Sequence, residues 1–246
     1  MSEEILSGGN TGGAVRSGDT VRRAGGAWTP TVQRLLGHLR GHGLTWVPQP
    51  FGTDHAGRDT VSYLPGTVLN GDLPHWVWAD DVLVDAARLM SALHTATSTF
   101  DRTGAVWRIP AHEPADVVCH NDFAPYNMVF TGRTLTGVID WDTASPGPRV
   151  WDLAYLAYRL VPLTDPADTE ALDNGIAQRS RRLRLLCAAY GTHAPDPADV
   201  VAVAVDRLSD LAVWTETHSP HLASHVALYR RDARWITDHA AVLACR

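Results

Sequence analysis

The apolar positions change their rhythm once along the chain. Up to about residue 65 they come in short runs that alternate with polar residues and are punctuated by glycine; beyond it they recur mostly at helical spacing. In "AVRSGDTVRRA" two β-type runs flank Ser17-Gly18-Asp19, a hairpin pattern in which glycine supplies the positive φ of a tight turn. "TPTVQRLLGHLRGHG" puts Val32, Leu35, Leu36 and Leu39 on one helical face, with Thr29 as a cap and Pro30 in the first turn. A second strand pair is expected around Asp54 to Gly57. Pro65-Gly66 then breaks the pattern, which predicts a compact lobe over residues 1–65 and a larger one over 66–246.

In the second part, "ADDVLVDAARLMSALHTAT" carries Val82, Ala86, Leu89, Met90 and Leu93 at helical spacing, with aspartates where they favour the helix dipole. Further helices are expected at Val150–Leu160, Pro166–Tyr190, Pro197–Thr217 and Leu222–Leu243. One segment interrupts them. "VVCHNDFAPYNMVFTGRTLTGVIDWD" reads as a strand (Val117–Cys119), a polar loop, and two strands (Met128–Phe130 and Leu135–Ile139) joined through Thr131-Gly132-Arg133. The order is a small β-rich piece followed by a mainly helical piece that holds a β-framed polar loop.

Composition narrows the function classes. The 21 basic and 27 acidic residues give a net charge of −6, which argues against nucleic acid as the main partner. It is compatible with a cationic substrate and equally with simple solubility. The three cysteines, Cys119, Cys187 and Cys245, have no C-x-x-C spacing and cannot form a complete disulfide framework, which fits a reducing cytoplasm. No run is apolar enough to span a membrane, and the first residues lack an apolar signal core.

The polar loop holds the candidate chemistry. If the last two strands form a hairpin, Asp140 comes to face Asn127 and Asp122. Phosphoryl transfer needs this set: one carboxylate to orient the attacking hydroxyl and accept its proton, then a carboxylate and an amide oxygen to hold Mg²⁺ against the phosphates. Asp122 suits the first task, Asn127 and Asp140 the second. His120 completes the catalytic candidates, as a brace for the loop. Taken one at a time, each residue could be an ordinary turn or cap residue.

"HNDFAPYN" (His120 to Asn127) followed by "VIDWD" (Val138 to Asp142) resembles the catalytic and metal-binding segments of the aminoglycoside phosphotransferase and choline kinase-like family. "GPRVWDLAYLAY" (Gly147 to Tyr158) is similar to the family's following segment, in which Asp152 would help hold the active-site loops. The wording is closest to compact bacterial members described as trifolitoxin-immunity-like phosphotransferases. The resemblance implies a two-lobed, protein-kinase-like α+β fold, ATP or GTP as phosphate donor, Mg²⁺ as cofactor and a small-molecule hydroxyl as acceptor. It implies Asp122 as base and Asn127 and Asp140 as metal ligands. It places a phosphate loop loosely over Gly8–Val15, including Gly9 and Gly12, and a phosphate-steadying cation at Arg22 or Arg23. Arg22 is preferred, although strand alternation alone does not choose between them.

Two positions depart from the family pattern. An arginine stands where a lysine is usual, and the following helix has no glutamate to pair with it; Gln33 is the nearest polar residue. These departures favour, as the alternative, a non-catalytic immunity protein that sequesters a toxic compound; a peptide kinase is a further possibility. Asp165, Asp168, Glu170 and Glu216 on the later helices would suit an amine-bearing acceptor, such as an aminoglycoside-like antibiotic.

Overall fold

A computed structural model describes residues 3–6, 13–166 and 175–245. Gly9 and Gly12 of the expected phosphate loop, and Asp168 and Glu170 of the expected acceptor surface, lie outside the described residues. The chain divides into two compact units, each assembled from two stretches: Met1–Gly71 with Ala92–Pro148, and Asp72–Ser91 with Arg149–Arg246. Both are discontinuous in sequence, which a single boundary at residues 65/66 does not describe.

The first unit is built on a five-stranded antiparallel sheet in the order β1-β2-β3-β5-β4. Its strands are β1 (Glu3–Leu6), β2 (Ala14–Ser17), β3 (Thr20–Arg23), β4 (Pro50–Thr53) and β5 (Asp59–Ser62). The β2–β3 turn uses Gly18 at φ 61°, as its sequence pattern predicts. Helix α1 (Thr29–Gly41) joins β3 to β4 and buries the expected stripe of Val32, Leu35, Leu36 and Leu39. Thr29 lies inside the helix and Trp28 at its cap, where no side chain accepts a capping hydrogen bond. β1 has no counterpart in the sequence reading. Its residues are exposed apart from Leu6, so no apolar alternation marks them.

The same unit contains the strand–loop–hairpin segment. β6 (Thr67–Val68), β8 (Met128–Thr131) and β9 (Thr134–Val138) form a three-stranded sheet, and β7 (Val117–Cys119) pairs with β10 (Ser145–Gly147). Gly66 enters β6 at φ 146°; a Cβ there would lie 2.6 Å from Val129 Cγ1 and 2.7 Å from the Phe130 carbonyl oxygen. Such a close approach of two backbones requires glycine. Val117, Val118, Met128, Val129, Phe130 and Val138 are buried, so this frame is rigid core.

The second unit is helical. Helix α2 (Asp80–Thr97) begins in it, followed by α3 (Arg149–Leu160), α4 (Ile176–Tyr190), α5 (Pro197–His218) and α6 (Ala223–Leu243). Asp196 caps α5 by accepting from Ala198 N–H. Leu153, Leu156, Leu183, Leu186, Val200, Leu208 and Ile236 fill its interior. Arg182 is buried and donates to the Trp78 and Leu160 carbonyls at 2.7 Å each and to Asp80 at 3.0 Å. Asp152 is buried in the first turn of α3. Among the described residues no helix is long and apolar enough to cross a membrane.

Candidate active site

The loop between β7 and β8 is held from several sides. His120, with 0 % of its surface exposed, accepts the Asp122 N–H at Nδ1 (3.2 Å), so its Nε2–H donates to the Ile139 carbonyl (3.1 Å). Its ring packs edge-on against Phe123 and Trp141. Both ring nitrogens are thus spent on the loop and on the segment after β9, which makes His120 a positioning residue. Asn121 adopts a left-handed φ of 66° and donates through Nδ2 to the Thr143 carbonyl and to Ser145 Oγ. Non-glycine residues rarely adopt that backbone, and here side-chain bonds hold it.

Asp122 is clamped at both oxygens. Tyr126 donates its hydroxyl to Oδ1, and Asn127 Nδ2 donates to Oδ2 at 2.8 Å and to the Asp122 carbonyl at 2.9 Å. Burial pushes the Asp122 carboxyl above its ordinary value, against the pull of Tyr126, His120 and Asn127. A carboxylate held this way is a stronger base than one in water. Both Nδ2 bonds of Asn127 go to Asp122, which leaves its Oδ1 as an open acceptor.

Asp140 follows β9 at a left-handed φ of 61°, with its side chain 40 % exposed. Asn127 and Asp140 both line a cavity of about 480 Å³, together with Tyr126, Trp141 and Asp142. Strand residues Val21, Val61, Val68 and Val129, and the Ser62-Tyr63-Leu64 segment, form its apolar part. The oxygen of Asn127 and the carboxylate of Asp140 are the kind of donors a hard divalent cation takes.

The cation of the site is Arg23, and the preference for Arg22 is corrected. Arg22 turns toward Glu3, 3.6 Å away, and is absent from the cavity wall. Arg23 lines the cavity and spreads its guanidinium over three carboxylates: Nε to Asp59 (2.9 Å), Nη1 to Asp140 (3.1 Å) and Nη2 to Asp142 (2.6 Å). Alternation permits one of the two arginines to face inward, and the register across β3 and β5 decides which. Arg23 stands directly opposite Asp59. Burial opposes the Arg23 charge, yet the three carboxylates hold its pKa above the arginine norm. The Asp142 pKa is raised as well: burial lifts it in spite of Arg23, and Asp140 and Asp59 add the push of like charge.

Asp59 is a residue that the sequence reading missed. It is 2 % exposed, and besides Arg23 it accepts from Gln33 Nε2 of α1 at 2.5 Å. The carboxylate absent from the helix is therefore supplied by a strand, with Gln33 as the link between helix and strand. Its sequence signal is faint, a polar residue at the start of a β-like run 36 positions from its partner.

The model of the phosphotransferase enzyme family matches residues 95–195, which include the loop between β7 and β8 and the Asp140 segment. Trifolitoxin immunity protein of Rhizobium leguminosarum bv. trifolii is 29 % identical over 260 residues, covering 99 % of this chain and 98 % of that protein. A choline/ethanolamine kinase family protein from Mesorhizobium loti superposes with a TM-score of 0.67 at 17 % identity, covering 100 % of this chain and 93 % of the other. A streptomycin–ATP complex of an aminoglycoside phosphotransferase gives 0.61 at 15 % identity (96 % and 93 % covered). An amicoumacin kinase in complex with AMP-PNP and Ca²⁺ gives 0.68 at 10 % identity (98 % and 89 % covered). The chain thus has the fold of the choline kinase-like and aminoglycoside phosphotransferase structures, and its residues 95–195 match the model of the phosphotransferase enzyme family.

Proposed function

We propose that this chain is an ATP-dependent phosphotransferase acting on a hydroxyl of a small molecule. The observation that carries the reading is the carboxylate of Asp122, doubly hydrogen-bonded and raised in pKa, joined by Asn127 to a cavity that also holds Asp140. Asp122 orients the acceptor hydroxyl and takes its proton; the hydroxyl oxygen bonds to the γ-phosphorus, and the bond to the β,γ-bridging oxygen breaks to release ADP. Tyr126 and Asn127 fix the base, and His120 fixes the loop that carries both. Asn127 and Asp140 would hold Mg²⁺, which when bound neutralises phosphate charge. Val21, Val61, Val68 and Val129 of the cavity wall offer apolar surface to a purine ring. Structures of similar fold described with ATP or AMP-PNP support ATP as the donor.

The acceptor is a small molecule in this reading, and its charge is open. Glu216, one of the acidic residues that favoured a cationic acceptor, is paired with Arg230 at 2.8 Å, which weakens that argument. The test is ADP release with aminoglycosides, nucleosides, amino alcohols and short peptides as acceptors. Asp122→Ala is expected to lose turnover while still binding Mg·AMP-PNP; undiminished turnover would sink the assignment.

One observation favours a second reading, sequestration without catalysis: the full-length similarity to an immunity protein. Calorimetric titration of the native chain with Mg·AMP-PNP separates the two, because a sequestering protein has no need of nucleotide.

A further inference from the structure

Arg23 already directs each of its three nitrogens at a carboxylate, so most of its N–H donors are committed within the protein. A second arginine lines the same cavity. Arg108 lies 3.7 Å from Asp142, beyond hydrogen-bonding distance, and its side chain is 30 % exposed. Its guanidinium sits 4.8 Å from the centre of the Trp28 ring, which also lines the cavity.

The platform is built rather than incidental. Trp28 folds back over Gly26, where a Cβ would come within 2.3 Å of the indole, so glycine is what lets the ring lie there. The loop carrying Arg108 is pinned to α1 at three points: Val106 N–H donates to Thr31 Oγ1 (2.8 Å), and Arg34 donates to the Asp101 and Thr103 carbonyls (3.0 and 3.2 Å). Its far end is tied by His112 N–H to the Pro146 carbonyl (2.9 Å). A long side chain on a fixed loop, stacked on a ring and with donors open to the cavity, is arranged to receive an oxyanion.

Resting on the phosphotransferase reading, we infer that Arg108, held on Trp28, is the binding residue for the terminal phosphate of the donor nucleotide. Arg108 stands beside Asp142, two residues from Asp140, the residue that would hold the metal against the phosphates. It therefore meets the last phosphate rather than the nucleoside.

Titration of the native chain, Arg108→Ala and Arg108→Gln with Mg·AMP-PNP, Mg·ADP and adenosine tests this. Both variants should bind AMP-PNP about tenfold or more weakly, as for a lost hydrogen bond to a charged group. ADP should change much less, and adenosine not at all. Arg108→Gln keeps most of the length and answers the same question should Arg108→Ala fail to fold. Unchanged AMP-PNP affinity overturns the role of Arg108 alone. Equal weakening of all three ligands also overturns it, since it marks a structural prop for Asp142. A native chain that binds no nucleotide overturns the phosphotransferase reading, and this inference with it. Gly26→Ala, which displaces Trp28, should reproduce the selective loss of AMP-PNP in milder form.

Discussion

Replacing Asp59 by alanine should destabilise the first unit by an amount that its contacts allow to be worked out. The substitution deletes two hydrogen bonds to a buried carboxylate, from Arg23 Nε at 2.9 Å and Gln33 Nε2 at 2.5 Å. Each bond of this kind is worth about 1.5–3 kcal/mol. Neither donor residue is stranded: Arg23 keeps Asp140 and Asp142, and Gln33 still has the Thr60 carbonyl at 3.1 Å. The low end of the range therefore applies, about 3 kcal/mol in total, short of the upper cost of leaving a buried charge wholly unpaired. For a chain of this length that corresponds to a fall in Tm of about 6–12 °C by scanning calorimetry. Asp59→Asn retains the shape and one acceptor and should fall about half as far. Because the pair is buried, raising the salt concentration should leave the difference in place. A fall of less than about 2 °C for Asp59→Ala would refute the claim that Asp59 anchors Arg23.

Two further substitutions probe the site and its frame. Tyr126→Phe removes a hydrogen bond that stabilises the ionised form of Asp122, whose pKa burial already raises; the acidic limb of the pH–rate profile should move to higher pH, and an unmoved limb would contradict Asp122 as the base. Gly66→Ala combines a φ of 146° with a Cβ within 2.6 Å of Val129, so it should cost about 2 kcal/mol or more, visible as a Tm at least about 4 °C lower.

Much of the architecture was legible because hydrophobic spacing is local. The stripe of α1, the hairpin at Gly18 and strand β7 all follow from neighbours within a few residues, and β8 and β9 differ from expectation only at their ends. Elements without an apolar face were not legible. β1 is exposed along most of its length, and β10 is three residues that include Pro146. The site divides along the same line. His120, Asp122, Asn127 and Asp140 sit within one contiguous stretch, so their spacing carries information. Arg23, Asp59 and Arg108 are brought together by strand register and by a loop laid on α1, and neither can be seen along the chain. The choice between Arg22 and Arg23 shows this best: alternation offers two answers, and only the partner strand selects one.

The position of Asp59 also bears on how such a site could be controlled. Where the acid that partners the cleft cation rides on a helix, as in protein kinases, swinging that helix breaks the pair and switches the enzyme off. Here Arg23 and Asp59 are cross-strand neighbours in one sheet, so their separation is set by the ladder between β3 and β5. Movement of α1 would release Gln33 but leave the ion pair standing. A site wired in this manner has no off position of that kind.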